Sequence, residues 1–415
     1  MELTPPAIIP GSKIPHKDAN ILRERVSRLL GLRSLNFPGA QPVSFAKKHL
    51  QTVKEHDYYV CEKSDGIRCL MYMTMHHATP KRYAVYLIDR KNDYYLVPKV
   101  WFPTTNDPND SRLHTETLID GELVMDSIQG KSQLKFLVFD CLACNGRLYT
   151  NRPLDRRLGV YREFVEKPLR TLVKAKPKVL AVMPFHVEFK LMQRAHGIEM
   201  MFREIIPKLH HGSDGLIFTC IETPYVTGTD ETLLKWKSRE SNTVDFLLEL
   251  RFTAKLDTGD IDYSAMPEMP LSIWEGGKRY SYFADLYLEN EEWEKLKESN
   301  TPLQGRIVEC YLDEQNRWRF MRFRDDKQNG NHRSTVRSVI ESIEDGVTKE
   351  ELLHEAYYIR KSYYERKERR EARHHDNPET HSVREASKEP AASGAEKRKL
   401  TPESEESTKR ARAAD

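Results

Sequence analysis

Apolar residues recur along this chain with two different periods, and the changes of period mark out its elements. Between residues 17 and 32, Ile21, Leu22, Val26, Leu29 and Leu30 fall at helical spacing, which predicts a first helix. Phe37-Pro38-Gly39 closes it in a turn. From 58 to 143 the apolar positions come in short runs that read as strands, at 58–60, 71–73, 83–88, 94–97, 118–124 and 136–139. Residues 151–164 read as a helix with Pro153 in its first turn. Residues 197–209 read as another, with Ile198, Met201, Phe202, Ile205 and Leu209 on one face. Two further strands fall at 216–220 and 233–236. Antiparallel strands mixed with a few helices predict an α+β domain over residues 1–240.

A second set of strands, at 244–252, 280–288, 306–312 and 318–324, is separated by loops such as Pro267-Glu268-Met269-Pro270. That spacing predicts a small all-β barrel of OB-fold type over 241–332. A helical segment follows at 333–370, where Thr348 and Glu351 stand as a capping box and Leu352, Leu353, Ala356 and Tyr357 supply the apolar face. Beyond Arg366 the only aliphatic residues larger than alanine are Val383 and Leu400. A segment so poor in burial cannot offset its ordering entropy, so 371–415 is expected to be a disordered tail. It carries two basic clusters, Lys397-Arg398-Lys399 and Lys409-Arg410-Ala411-Arg412, which read as a bipartite nuclear-import signal and place the protein in the nucleus.

Composition narrows the function classes. With 39% hydrophobic residues among 415, the chain can bury a sizeable core. Its 66 basic and 63 acidic residues nearly balance, which excludes a histone-like electrostatic binder. No apolar run is long enough to span a bilayer, and the N-terminus lacks a signal-peptide pattern. The six cysteines are irregularly spaced, and Cys141 and Cys144 form a C-x-x-C without the second pair that a zinc site needs. Both are expected to be buried thiols at a strand end.

The chemistry-bearing stretch is Lys63-Ser64-Asp65-Gly66-Ile67-Arg68, placed where a strand opens into a loop. Asp65 can hold the Lys63 ammonium, Gly66 lets backbone approach a ligand, and Arg68 can bond a ribose or a phosphate. A free lysine, with a pKa near 10.4, leaves about one molecule in a thousand neutral at pH 7.5. A nucleophilic lysine therefore needs burial or cationic neighbours. Further pieces follow in order. Asp120-Gly121-Glu122-Leu123 is expected at a strand end, Asp214-Gly215-Leu216-Ile217-Phe218 repeats the design, and Lys235-Trp236-Lys237 puts two cations on one strand face. Taken singly, Asp-Gly is a common turn and alternating lysines are a solvated strand face.

Together with the late Arg324-Asp325-Asp326-Lys327, these pieces resemble the ordered motifs of the covalent nucleotidyltransferase superfamily. The R-x-D-K element and the Phe37-Pro38-Gly39 turn are similar to the fungal mRNA guanylyltransferases, over roughly residues 17–365. The resemblance implies a nucleotidyltransferase domain of the ATP-grasp-like ligase and capping type, an OB-fold lid, and GTP as substrate. It implies that Lys63 attacks the α-phosphate and holds GMP, while Arg68, Glu122 and Arg90 contact the ribose. Lys190 would meet the guanine O6, Lys235 and Lys237 the α-phosphate, and Arg324 and Lys327 the departing phosphates. Asp214 would help hold Mg2+ or Mn2+, and Asp65 and Asp326 belong to the nucleotide-binding set through their motifs. GMP would then pass to the 5′-diphosphate end of a nascent RNA.

About sixty residues precede Lys63, fewer than a domain of ordinary size, so a separate RNA 5′-triphosphatase partner is expected. Binding to the phosphorylated tail of RNA polymerase II is implied by the same resemblance. Two other readings stand beside it. One is an ATP-dependent polynucleotide ligase, which shares the lysine chemistry. The other is a nucleic-acid-binding module that stacks single strands on the barrel, which leaves Lys63, Lys235 and Lys237 unexplained.

Overall fold

The computed structural model describes residues 9–79, 81–254, 260–263, 265–298 and 301–375. Up to residue 240 the strands are β1 (Ser12–Lys13), β2 (Ala40–Ser44), β3 (Tyr58–Ser64), β4 (Ile67–Met75), β5 (Tyr83–Asp89) and β6 (Tyr94–Val97). They continue with β7 (Thr117–Ile128), β8 (Lys131–Cys144), β9 (Arg147–Leu148), β10 (His186–Phe189), β11 (Gln193–Arg194), β12 (Ser213–Cys220) and β13 (Gly228–Trp236). One sheet runs β1-β6-β5-β4-β7-β8-β10 with β9 beside β8, and a second runs β11-β3-β12-β13-β2.

Strand β4 is buried on both faces, and this sets the layering of the first sheet. Cys69, Met71 and Met73 face a core closed by Tyr161, Val165 and Leu169. Leu70 and Tyr72 face another, closed by Ala19, Leu22, Val26 and Leu30 of the helix His16–Leu30. That helix forms as predicted, except that Ile21 points to solvent, 42% exposed, because the buried stripe follows the spacing of Leu22 and Val26. The helix expected at 151–164 starts at Leu154 with Pro153 immediately before it. It continues through a π-helical turn, Tyr161–Glu166, into the helix Lys167–Ala175.

The helix expected at 197–209 is instead a series of short turns, Ala195–Gly197, Ile198–Met200, Met201–Ile205 and Ile206–Lys208. Pro207, lacking an N–H, suits the last 3-10 turn better than a continued helix. In the second sheet the period of two is clean. Tyr58, Val60, Leu216, Phe218, Leu234 and Trp236 face a core, while Cys61, Lys63, Ile217, Thr219, Leu233 and Lys235 face the other way, into a cleft.

Strands β14 (Thr243–Leu248), β15 (Pro270–Trp274), β16 (Tyr280–Tyr287), β17 (Ile307–Leu312) and β18 (Trp318–Phe323) close a barrel in the order β14-β15-β16-β18-β17. The predicted barrel is therefore present, with a fifth strand, β15, where the Pro267–Pro270 loop was expected to run on. Its Pro270 sits at the first position of the strand, where the missing donor is tolerated. The helix Asn290–Glu298, also not predicted, lies between β16 and β17.

The C-terminal helical segment divides its contacts. In the helix Arg333–Glu344, Val336 joins the barrel core. In the helix Lys349–His375, Leu352, Ala356 and Ile359 join the core under the second sheet. The capping box forms: Thr348 Oγ1 accepts from the Glu351 N–H at 3.1 Å, and Glu351 accepts from the Thr348 N–H at 2.8 Å. Residues from Glu365 onward cluster as a second unit, and the helix runs to His375 rather than ending at 370. The expected disordered tail lies outside the described residues from 376, as do both basic clusters. All six cysteines are buried and free, including Cys141 and Cys144 at the end of β8.

Candidate active site

The two-residue link Asp65-Gly66 carries the chain from β3 in the second sheet to β4 in the first, so the stretch from Lys63 to Arg68 supplies both walls of the cleft between them. The cleft holds a cavity of about 340 Å³. Lys63, Lys235 and Lys237 line it from the second sheet; Arg68, Arg90, Asp120 and Glu122 line it from the first, and Lys190 follows β10. Asp214, at the start of β12, binds two of these cations at once. Lys63 Nζ is 2.6 Å from its Oδ1 and Lys237 Nζ 2.6 Å from its Oδ2. Burial alone would raise the Asp214 carboxyl, but Lys237 and Lys63 outweigh it and hold the group below the usual carboxylate range. Burial, with Lys237, Lys63 and Arg90 as like charges, lowers Lys235.

Several expected roles change here. The Lys63 ammonium is held by Asp214 and not by Asp65, which is exposed and donates its backbone N–H to Gly212 O at 2.8 Å. Gly66 serves the protein's own packing: a Cβ there would stand 2.3 Å from Leu123 O of the neighbouring strand. Asp120-Gly121-Glu122 lies inside β7 and not at a strand end. Arg68 is buried in a two-pronged pair with Asp120, at 3.1 and 2.7 Å, and also donates to Ala40 O. It therefore stiffens the cleft wall while still lining the cavity.

Lys190 is buried and donates to Ser64 Oγ at 2.6 Å, with Glu62 at 3.3 Å and Glu122 at 3.8 Å. Burial opposes its charge, but Glu62, Cys61 and Glu122 outweigh it and keep the ammonium charged. Burial raises the Glu122 carboxyl against the pull of Lys190 and Lys63.

Arg324 and Lys327 sit on the barrel and do not line the cavity. Arg324 donates to Asp245 at 3.0 Å and to Asp326 at 2.9 and 2.8 Å, and Lys327 pairs with Asp245. Asp326 is exposed. The sequence reading missed Asp245, Glu62, His211, Tyr225 and the Arg157–Asp140 pair. Tyr225 donates to Asp120 at 2.6 Å, and Arg157 meets Asp140 twice at 2.8 Å beside the cavity. Only Glu62 had a local signal, its place next to Lys63.

Among the described residues no group of three His, Cys, Asp or Glu could hold a metal by itself. A magnesium-like ion needs less, since it takes one or two carboxylates together with substrate phosphates and water. Asp214, a carboxylate beside three lysines that can receive phosphate, fits that donor set.

The family model described as mRNA capping enzyme, catalytic domain, matches residues 6–239, and mRNA capping enzyme, C-terminal domain, matches 241–353. The chain belongs to the mRNA capping enzyme family. It is 56% identical to the mRNA-capping enzyme subunit alpha of Schizosaccharomyces pombe, over 86% of this chain and 89% of that one. It is 48% identical to the subunit of the same name in Neurospora crassa, over 87% and 94%. A mycobacterial DNA ligase D complexed with ATP and MES is similar at 15% identity over 70% of this chain and 94% of that one, with a TM-score of 0.34, which carries nothing about activity. As a member of the capping family the chain is a nucleotidyltransferase of the guanylyltransferase type, and the ligase alternative falls away.

Proposed function

We propose that Lys63 carries a two-step transfer of GMP from GTP to the 5′-diphosphate end of nascent RNA. In the first step the neutral Lys63 amine attacks the α-phosphorus. The N–P bond forms, the bond to the bridging oxygen breaks, and pyrophosphate leaves. Asp214 Oδ1, 2.6 Å from Nζ, is the base within reach of the Lys63 proton. Lys235 and Lys237 offset charge on the α-phosphate, which is most of what phosphoryl transfer asks of a protein. Arg90 and Glu122 contact the ribose, Arg68 holds the wall behind them, and Lys190 donates to the guanine O6. Asp214 would hold Mg2+ or Mn2+ with the phosphates, and that ion would supply further charge neutralisation. In the second step the β-phosphate oxygen of the RNA end attacks the same phosphorus, Lys63 leaves, and GpppRNA forms.

The single observation that supports this reading is the convergence of Lys63, Lys235 and Lys237 at one cavity, two of them paired to Asp214, with a buried cation, Lys190, in its wall. Mass spectrometry after incubation with GTP and magnesium tests it. A GMP adduct on Lys63 is expected; an adduct elsewhere, or label taken from ATP alone, would overturn it.

The expected partners are a separate RNA 5′-triphosphatase and the phosphorylated tail of RNA polymerase II. Equal binding of phosphorylated and unphosphorylated tail peptides would count against the latter. Deleting residues 376–415 is expected to leave adduct formation intact and to reduce nuclear accumulation, read by imaging a tagged chain.

A further inference from the structure

A buried string of charges runs back from the cavity wall, and only its first member touches the cavity. Glu62 Oε1 is 3.3 Å from Lys190 Nζ and 3.6 Å from His211 Nε2. His211 Nδ1 is 2.8 Å from Asp126 Oδ1, and Asp126 Oδ2 is 2.9 Å from Lys135 Nζ. Lys190, Glu62 and His211 are only 3%, 2% and 8% exposed. Lys190 lines the cavity; Glu62 and His211 do not. The two-step chemistry makes no use of either, yet charges buried this deeply persist only when paired.

What the string does follows from the donor count of an ammonium group. Lys190 has three N–H donors. Ser64 Oγ accepts at 2.6 Å, and the Glu62 carboxylate draws a second donor. One donor remains to meet an acceptor in the cavity, since Glu122 Oε2 at 3.8 Å stands beyond hydrogen-bond reach, and its direction is set by the other two. A purine with oxygen at its 6-position completes it. An amine there sets N–H against N–H and leaves a buried donor unpaired, a mismatch that discriminates strongly. Glu62 can hold this orientation only if it is itself held, and His211, anchored on Asp126, faces it from the side away from the cavity.

We propose that Glu62, backed by His211, is a positioning residue that sets base selection by fixing the one free donor of Lys190. The inference rests on the reading of Lys190 as the group that meets the base. Period two sends Glu62 to the opposite side of β3 from Lys63, so adjacent residues serve two tasks, the nucleophile and the support of the base reader.

The test is single-turnover adduct formation by the full chain with GTP, with ITP, which keeps the 6-oxygen and lacks the 2-amino group, and with ATP. Glu62→Gln is expected to raise the half-saturating concentration of GTP and ITP alike by about tenfold, the weight of a hydrogen bond to a charged group. The maximal rate should stay within about twofold, and the preference for GTP over ATP should fall by about tenfold. His211→Gln should move the same quantities in the same direction by less. If Lys190→Ala abolishes the preference while Glu62→Gln leaves it intact, the positioning role is wrong and the reading of Lys190 stands. If Lys190→Ala itself leaves the preference intact, the base contact is wrong and the positioning role falls with it. A maximal rate lowered equally for all three nucleotides, with unchanged half-saturation, would show a structural role only and overturn the proposal. Should Glu62→Gln not fold, His211→Gln decides: a fall in preference of about threefold or more supports the proposal, and no fall overturns it.

Discussion

The cleft and the barrel carry the same device in different states. In each, one aspartate is shared by two cations: Asp214 by Lys63 and Lys237 in the cleft, Asp245 by Arg324 and Lys327 on the barrel. Lys63 and Lys237 line the cavity; Arg324 and Lys327 do not. Asp245 is buried and further tied by Asn331, whose side chain accepts from the Asp245 N–H at 2.9 Å. Asp214 is more open, with 30% of its side chain exposed. The difference teaches that identical pairing can serve opposite ends. A partly exposed pair is exchangeable for phosphate, whereas a buried one holds its cations in place.

The strongest way to break the comparison is Lys63→Ala, which should abolish adduct formation, by about a thousandfold or more, in a labelled-GTP denaturing gel. Persistent adduct would mean the cleft cluster is only structural. Next, Arg324→Ala or Lys327→Ala should slow adduct formation from GTP by about a hundredfold while weakening GMP transfer from a preformed adduct only modestly. Those residues would serve the departing pyrophosphate, which the second step lacks. Single-turnover kinetics of each half-reaction decides it; equal slowing of both would make the barrel general scaffolding.

The two aspartates should then separate. Asp214→Asn is expected to cost about a hundredfold in adduct formation with little change in unfolding midpoint. Asp245→Asn should cost stability instead, about 1–2 kcal/mol in denaturant unfolding, because two cations lose a buried partner. If both substitutions act on rate alone, the distinction between open and buried pairs is wrong.

The smallest effect concerns pH. Burial would lower His211, but the Glu62 carboxylate 3.6 Å away and the hydrogen bond to Asp126 outweigh this and raise it above the ordinary imidazole value. A raised group contributes stability fully below its unfolded pKa, about 6.5, and loses that contribution as pH rises through the raised value. The unfolding midpoint of the native chain should therefore fall from this source as pH rises above about 6.5, and His211→Gln should remove that slope. A slope unchanged in the variant would place the titration elsewhere.

Much of this site was legible along the chain, for local reasons. Lys63 and Arg68 flank a two-residue link between strands, and Lys235 and Lys237 share a strand face by the period of two, so short-range geometry already brings each pair together. The barrel strands announced themselves by alternation, apart from β15, whose leading Pro270 looks like loop. Asp65 misled because it neighbours Lys63 in sequence, whereas Asp214, 151 positions away, holds the ammonium. Glu62 and His211 left little trace, since a buried ion pair has no sequence period. The turns at 195–208 were read as one helix because their apolar spacing is helical, and the irregular hydrogen bonding appears only in three dimensions.

By itself the sequence determined most of the strands, the first helix, the face that Lys235 and Lys237 share, and the set of cations that nucleotide chemistry requires, because all of these follow from side-chain period and charge. Tertiary structure alone decided which carboxylate each cation meets. It also decided that Arg324 and Lys327 stay on the barrel, and that the two C-terminal helices pack against different cores. Those outcomes depend on pairing between residues far apart in the chain, where burial selects the partner and sequence proximity has no say.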